Sequence, residues 1–307
     1  MHKTKPPKNL IEKSLLDTKR PSELSLKLEG FAIQVDPHVD IQKEKLRGLA
    51  KQIKRTIDIF KRELGVPEEA FDYLKVVRIE ADNDRYAVWV ANGELKIGQS
   101  SVLHMSDGKT HIIPHELVHV IVFGLIPGSE QLRHDNWNKL YDHNKKEARL
   151  IRAADEALAE LVGRSMASHE YNAFEEQKDA CKSSVAKYNE GFEKILSETR
   201  SEGEQLQLTN TTEAMFRINR IGYMAGDAAF LATLNNTKSK QYELLRELLS
   251  VRKVLSETGT EMDMIKVLEI IFKLAEKSGM MGDGAASFFN ERLHDVGLHM
   301  NVSHRQS

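Results

Sequence analysis

Cysteine is almost absent: Cys181 stands alone in 307 residues. No disulfide can form within the chain, which fits a reducing compartment. A lone thiol on a helix is most simply a small packing residue. Long apolar runs are also missing, and nothing approaches the roughly 20 residues that span a bilayer. The first nineteen residues carry several lysines but are broken by Pro6, Pro7, Glu12 and Asp17. They lack the apolar stretch of a secretory signal, so a cytoplasmic location is expected, with a non-classical export route left open. Excess charge of one sign is lacking too: 44 Lys and Arg face 46 Asp and Glu, for a net charge of −2. That removes the global electrostatic case for nucleic acid or an anionic membrane as partner. No internal repeat is evident.

The composition is that of an ordinary globular chain, long enough for one large domain or two smaller ones. Residues 1–37 read as an irregular basic arm punctuated by prolines. Within it Leu24, Leu26 and Leu28, then Phe31, Ile33 and Val35, alternate with polar residues. That period of two suits an extended segment docked by one face. From Val39 to Leu64 apolar residues recur at three- and four-residue steps, predicting a long helix stopped by Gly65 and Pro67. Strands follow at Tyr73–Ile79, Tyr86–Val90 and Glu94–Gly98, with Asn92-Gly93 as the hairpin turn between the last two. Ser101–His104 reads as a last short strand. From Lys146 onward the pattern is helical, over 146–168, 170–200, 208–235, 239–257, 261–278 and 285–297. The plan is α+β: an arm (1–37), a small α+β lobe (38–124) and a mainly helical lobe (125–307).

One stretch concentrates the chemistry. Residues 111–124 read His-Ile-Ile-Pro-His-Glu-Leu-Val-His-Val-Ile-Val-Phe-Gly. His115 and His119 leave the same helical face one turn apart, a spacing that lets two imidazoles share one small cation. Glu116 points to the neighbouring edge, where it can meet a water on that cation. Thr110 can cap the helix, and Pro114 falls in the first turn, where a missing N–H is tolerated. A helix this apolar must be buried, and buried imidazoles need partners; zinc would serve both. A catalytic zinc site needs a third protein ligand and an open position. The metzincin pattern is excluded, because Val122 and Leu125 stand where it needs glycine and histidine. A glutamate from a later helix is the other solution. Glu156 and Glu160 lie one turn apart among alanines and leucines that allow close packing. A metal for one and the second N–H of a ligand histidine for the other would account for both. Glu147 is a rival ligand, and His111, one turn before His115, is a further metal candidate.

The motif and the later glutamate pair resemble the gluzincin zinc metallopeptidases, the thermolysin-like group. That resemblance is specific over about residues 74–165. It implies a zincin-like fold with an edge strand and hairpin above the motif helix. It also implies one zinc ion held by His115, His119 and Glu156, with Glu116 as general base. Glu160, one methylene longer, takes the place of the aspartate that bonds a ligand histidine in that family, and would orient a ligand histidine here. The backbone of Ala87, Val88 and Trp89 would pair with a peptide as an added strand. Tyr223, among small residues, would bond the oxyanion, as a downstream Tyr or His does in many relatives. The expected function is peptide-bond hydrolysis on a peptide or protein substrate. The amino-terminus-binding loop of related aminopeptidases is absent, which favours an endopeptidase. The alternative is a peptide-binding or regulatory module that keeps the fold and lacks catalysis. Oligomeric state is not legible.

Overall fold

A computed structural model describes residues 24–27, 30–81, 88–105, 110–126, 146–202, 211–258 and 262–280. The chain builds a five-stranded mixed sheet in the order β1-β2-β3-β5-β4. The strands are β1 (Leu24–Lys27), β2 (Ala32–Val35), β3 (Val76–Glu80), β4 (Val88–Ala91) and β5 (Glu94–Gly98). β2, β3 and β5 run parallel, and β1 and β4 close the two edges antiparallel. Residues 24–27 and 32–35 therefore belong to the sheet, although the sequence placed them in an irregular arm. Their alternation showed an extended segment. It could not show the partner, because β3 lies some forty residues further on and strand pairing is non-local.

The hairpin turn is where the sequence put it. Asn92 and Gly93 both take positive φ, 54° and 74°, as a tight turn matched to the twist of its strands requires. Ile33, Val35, Val77, Ile79, Leu95 and Ile97 line one sheet face and are buried. The other face carries Arg78, Glu80, Glu94 and Lys96. Arg78 Nη2 reaches Glu94 at 2.8 Å, and Lys96 Nζ reaches Glu80 at 3.4 Å. This face is partly solvated, so each such pair contributes at most about 1 kcal/mol.

Helix α1 (Lys43–Glu63) buries Leu46, Leu49, Ala50, Ile53, Ile59 and Phe60. It ends at Gly65, with φ of 66°, and the Val66 N–H closes back on the Phe60 carbonyl at 3.0 Å, a left-handed helix stop. The strand expected at Ser101–His104 is instead a short helix, α2 (Gln99–Met105). Val102 and Met105, three apart, are fully buried, and a run this short takes its state from packing rather than from its own period.

Helix α3 (Ile112–Leu125) is the motif helix, and every residue from Ile113 to Phe123 is buried. It contacts β4 on one side and the helical part on the other. At its end Gly124 rests against a single 3-10 turn at Glu68–Phe71, where an added Cβ would come within 2.1 Å of the Ala70 carbonyl oxygen. The remaining helices are α4 (Lys146–Glu170), α5 (Phe174–Glu202), α6 (Thr211–Ala232), α7 (Lys238–Thr258) and α8 (Met262–Lys277). They match the predicted ranges to within a few residues; the helix expected at 285–297 lies outside the described residues. Among the described residues no helix is long and apolar enough to cross a membrane.

Candidate metal centre

Three helices meet at the motif. The Thr110 hydroxyl accepts the Ile112 N–H at 3.1 Å and so holds the start of α3. The His115 N–H bonds the His111 carbonyl at 3.0 Å, so the turn containing Pro114 stays helical. α4 crosses α3 at Gly163, where a Cβ would lie 2.9 Å from the His111 carbonyl oxygen and 3.2 Å from the His115 Cβ. α6 also packs against α4. A Cβ on Gly222 would come within 2.6 Å of the Glu156 Cβ, and one on Gly226 within 2.7 Å of the Glu160 Cβ. These glycines, four apart, let two backbones approach until the glutamates of α4 are wedged between α3 and α6.

The donor atoms of His115, Glu116 and His119 lie within 4.8 Å of one another in a buried group that could hold a metal ion. Glu156 joins them from α4. His115 Nε2 and His119 Nε2 are 3.3 Å apart, and Glu156 Oε2 is 3.4 Å from each. Ligands on a tetrahedral ion with bonds of about 2.0–2.1 Å stand roughly 3.3–3.4 Å apart, so the triangle has the dimensions of a zinc site.

The other ring nitrogens face carboxylates. His119 Nδ1 hydrogen-bonds Asp155 Oδ2 at 2.7 Å, and His115 Nδ1 lies 2.9 Å from Glu160 Oε2 without hydrogen-bond alignment. Both Nε2 atoms thus turn toward each other and toward the Glu156 oxygen. With both rings neutral and Nδ1 protonated, all three converging atoms would be acceptors, a set that a cation between them would satisfy. Charge agrees. Glu116, Asp155, Glu156 and Glu160 are buried carboxylates, faced by the guanidinium groups of Arg152 and Arg164. Carboxylates outnumber guanidinium groups, an acidic excess that a proton on His115 or a bound cation would offset. Asp227, raised to about 7 by burial and by Glu160 against the pull of Arg164, adds part of a further charge.

Proton affinities follow the same imbalance. Burial pushes His115 down, but hydrogen bonds to Glu156 and Glu160 outweigh it and hold the ring well above the usual histidine range. Burial would raise Glu160, yet Arg164, His111 and His115 keep it well below the ordinary carboxylate range. His111 is lowered, burial outweighing Glu160. Its Nε2 is 3.3 Å from Glu160 Oε1, and its Nδ1 meets Arg164 at 3.1 Å. His111 was expected only as a further metal candidate; its ring contacts Glu160 and Arg164.

Tyr223, on α6, places its ring 5.8 Å from the His115 ring. Burial, with Glu156 and Glu116 nearby, pushes its phenol far above the usual range, so it stays protonated and keeps a hydrogen to donate. Val88 and Trp89 stand on the edge strand β4, half-buried. Ala87 and the side chain of Glu147 lie outside the described residues, as do His134 and His143. Asp155 is the one neighbour of the imidazoles that sequence reasoning passed over. It sits beside Glu156, where helical periodicity turns it toward a different edge, and only the placement of α3 brings His119 to it. Arg152 and Arg164 were also missed. Their signal was present, because Arg152, Glu156, Glu160 and Arg164 follow one another at four-residue steps along one face.

No family model, curated protein or solved structure matches the chain. Assignment of the centre rests on its own geometry and on the motif.

Proposed function

We propose that the chain is a zinc-dependent peptidase of the gluzincin kind, with His115, His119 and Glu156 holding one ion. The observation that carries this is the convergence of three buried acceptor atoms 3.3–3.4 Å apart beside Glu116. Bound zinc would supply Lewis-acid polarisation of the scissile carbonyl and a lowered pKa for the attacking water. The chain's own groups do the rest. Glu116, next to His115 and buried, accepts the proton of the attacking water and passes it to the leaving amide nitrogen. Tyr223, held protonated, donates a hydrogen bond to the oxygen on which negative charge develops. Asp155 and Glu160 keep both imidazoles in the tautomer that presents Nε2 inward. The edge of β4, last in the sheet among the described residues, offers backbone groups to an extended peptide, which would add as a further strand.

The test pairs zinc quantification with an unbiased peptide-cleavage profile on the wild-type chain and on Glu116→Gln. The variant keeps its zinc and loses cleavage by about 10²–10⁴-fold. Full cleavage in that variant removes Glu116 from its role. A wild-type chain that binds zinc but cleaves nothing in the library supports a peptide-binding module instead.

A further inference from the structure

Glu160 poses a problem that an aspartate would not. A glutamate has one more rotatable bond, and its reach to His115 Nδ1 is useful only if that freedom is removed. The structure shows how its two oxygens are divided. Oε2 meets His115 Nδ1 at 2.9 Å, while Oε1 is held by Arg164 Nη2 at 2.9 Å, with His111 Nε2 at 3.3 Å.

Arg164 is itself anchored on every side. Its Nε donates to Asp227 Oδ1 at 2.9 Å, and its Nη1 to Gln177 Oε1 at 2.9 Å and toward His111 Nδ1 at 3.1 Å. The guanidinium thus joins α3, α4, α5 and α6 at one buried point, with Arg164 8% exposed. A planar fork with five donors can serve four such partners at fixed angles; a lysine ammonium cannot.

We propose that Arg164 is a positioning residue for the metal centre, with Asp227 as its anchor: it pins one oxygen of Glu160 so that the other locks the His115 ring with Nε2 facing the ion. The proposal rests on the metal reading given above and deepens it. The guanidinium is the device that allows a glutamate to stand where a shorter carboxylate would need none.

Co²⁺ and Zn²⁺ affinities of the full chain, read by competition with a chromophoric chelator, test this together with the visible Co²⁺ absorption band. The variants are Arg164→Lys, Glu160→Gln, their combination, and Asp227→Asn. Arg164→Lys keeps the charge, so a loss of affinity reports geometry. We expect it to weaken ion binding about tenfold, within the range for lost outer partners of a metal ligand, and to change the Co²⁺ band. With Glu160→Gln already present, Arg164→Lys should add less than about twofold, because both act through the same Glu160–His115 contact. Equal affinity in Arg164→Lys and wild type overturns the proposal, and so does an undiminished loss in the Glu160→Gln background. Should Arg164→Lys fail to fold, Asp227→Asn decides: about a threefold loss that requires Glu160 supports the positioning role, and unchanged affinity overturns it. A wild-type chain that takes up neither ion defeats the metal reading itself, a result distinct from a wild type that binds and a variant that binds equally well.

Discussion

Two buried polar stretches lie end to end on α4, and they are built on opposite principles. Over residues 152–164, ionisable groups converge: the Glu156 oxygen lies 3.4 Å from two Nε2 atoms, and carboxylates outnumber guanidinium groups. Over residues 165–170, Ser168 Oγ apart, polar groups are paired donor to acceptor. Gln241 Nε2 donates to Ser165 Oγ at 3.0 Å and to Thr233 Oγ1 at 2.7 Å, and its Oε1 meets His169 Nε2 at 2.5 Å. Tyr242 and Lys238 both bind Glu170 Oε1, at 2.9 and 2.5 Å, and Arg55 caps the Glu170 carbonyl at 2.7 Å. The second stretch is largely paired and ties α4 to α1 and α7. The first gathers excess carboxylate and three converging polar atoms at one point. Burial of polar groups alone does not mark a site; unbalanced charge with converging ligand atoms does.

Substitutions can separate the two stretches. Glu156→Ala removes one corner of the triangle and should cost more than about a hundredfold in ion affinity, beyond what outer partners contribute, as read by chelator competition. Gly226→Ala pushes a methyl toward the Ala157 carbonyl and the Glu160 Cβ, 2.5 and 2.7 Å away. It should lower stability by about 1–3 kcal/mol in denaturant unfolding and weaken ion binding as well, because α6 must withdraw from α4. Gln241→Ala should cost about 1–2 kcal/mol by leaving the buried Ser165 and Thr233 without its amide, while ion affinity stays within about twofold of wild type. Loss of ion binding in Gln241→Ala would erase the distinction between the stretches.

Stability should also depend on pH. The Asp227 carboxyl is raised to about 7, far above the ordinary aspartate range, so the folded chain keeps a proton that the unfolded chain releases. Its contribution to stability is fully present below the unfolded value and declines as pH rises toward about 7, then levels off. Asp227→Asn should flatten that part of the curve, compared with wild type at matched chelator concentration. Glu160, shifted the opposite way, acts at the acid end: its contribution is lost as pH falls below the ordinary glutamate range.

Local spacing carried a good part of this fold. The four-residue step of His115 and His119, the Asn92-Gly93 turn and the long apolar periods of α1 and α4 are near-neighbour signals, and the structure repeats them. Contacts between distant segments were out of reach. Nothing in Phe31, Ile33 and Val35 names β3 as the partner of β2, and nothing in the short run at Val102 separates a buried helix from a strand. Asp155 illustrates the same limit within the site. Its helix was recognised, but which of its edges would face His119 depends on how α3 crosses α4, and that crossing is set at Gly163. Arg164 was visible as one step in a four-residue rhythm, yet its anchor Asp227 comes from α6, sixty-three residues away.

The most direct measurement is the zinc content of the full chain, purified without chelator and dialysed against micromolar zinc, alongside Glu156→Ala treated identically. About one ion per chain in the wild type and none in the variant is the result that follows from a triangle of two imidazoles and one carboxylate. A wild-type chain that holds no zinc, or a variant that holds as much, would contradict it.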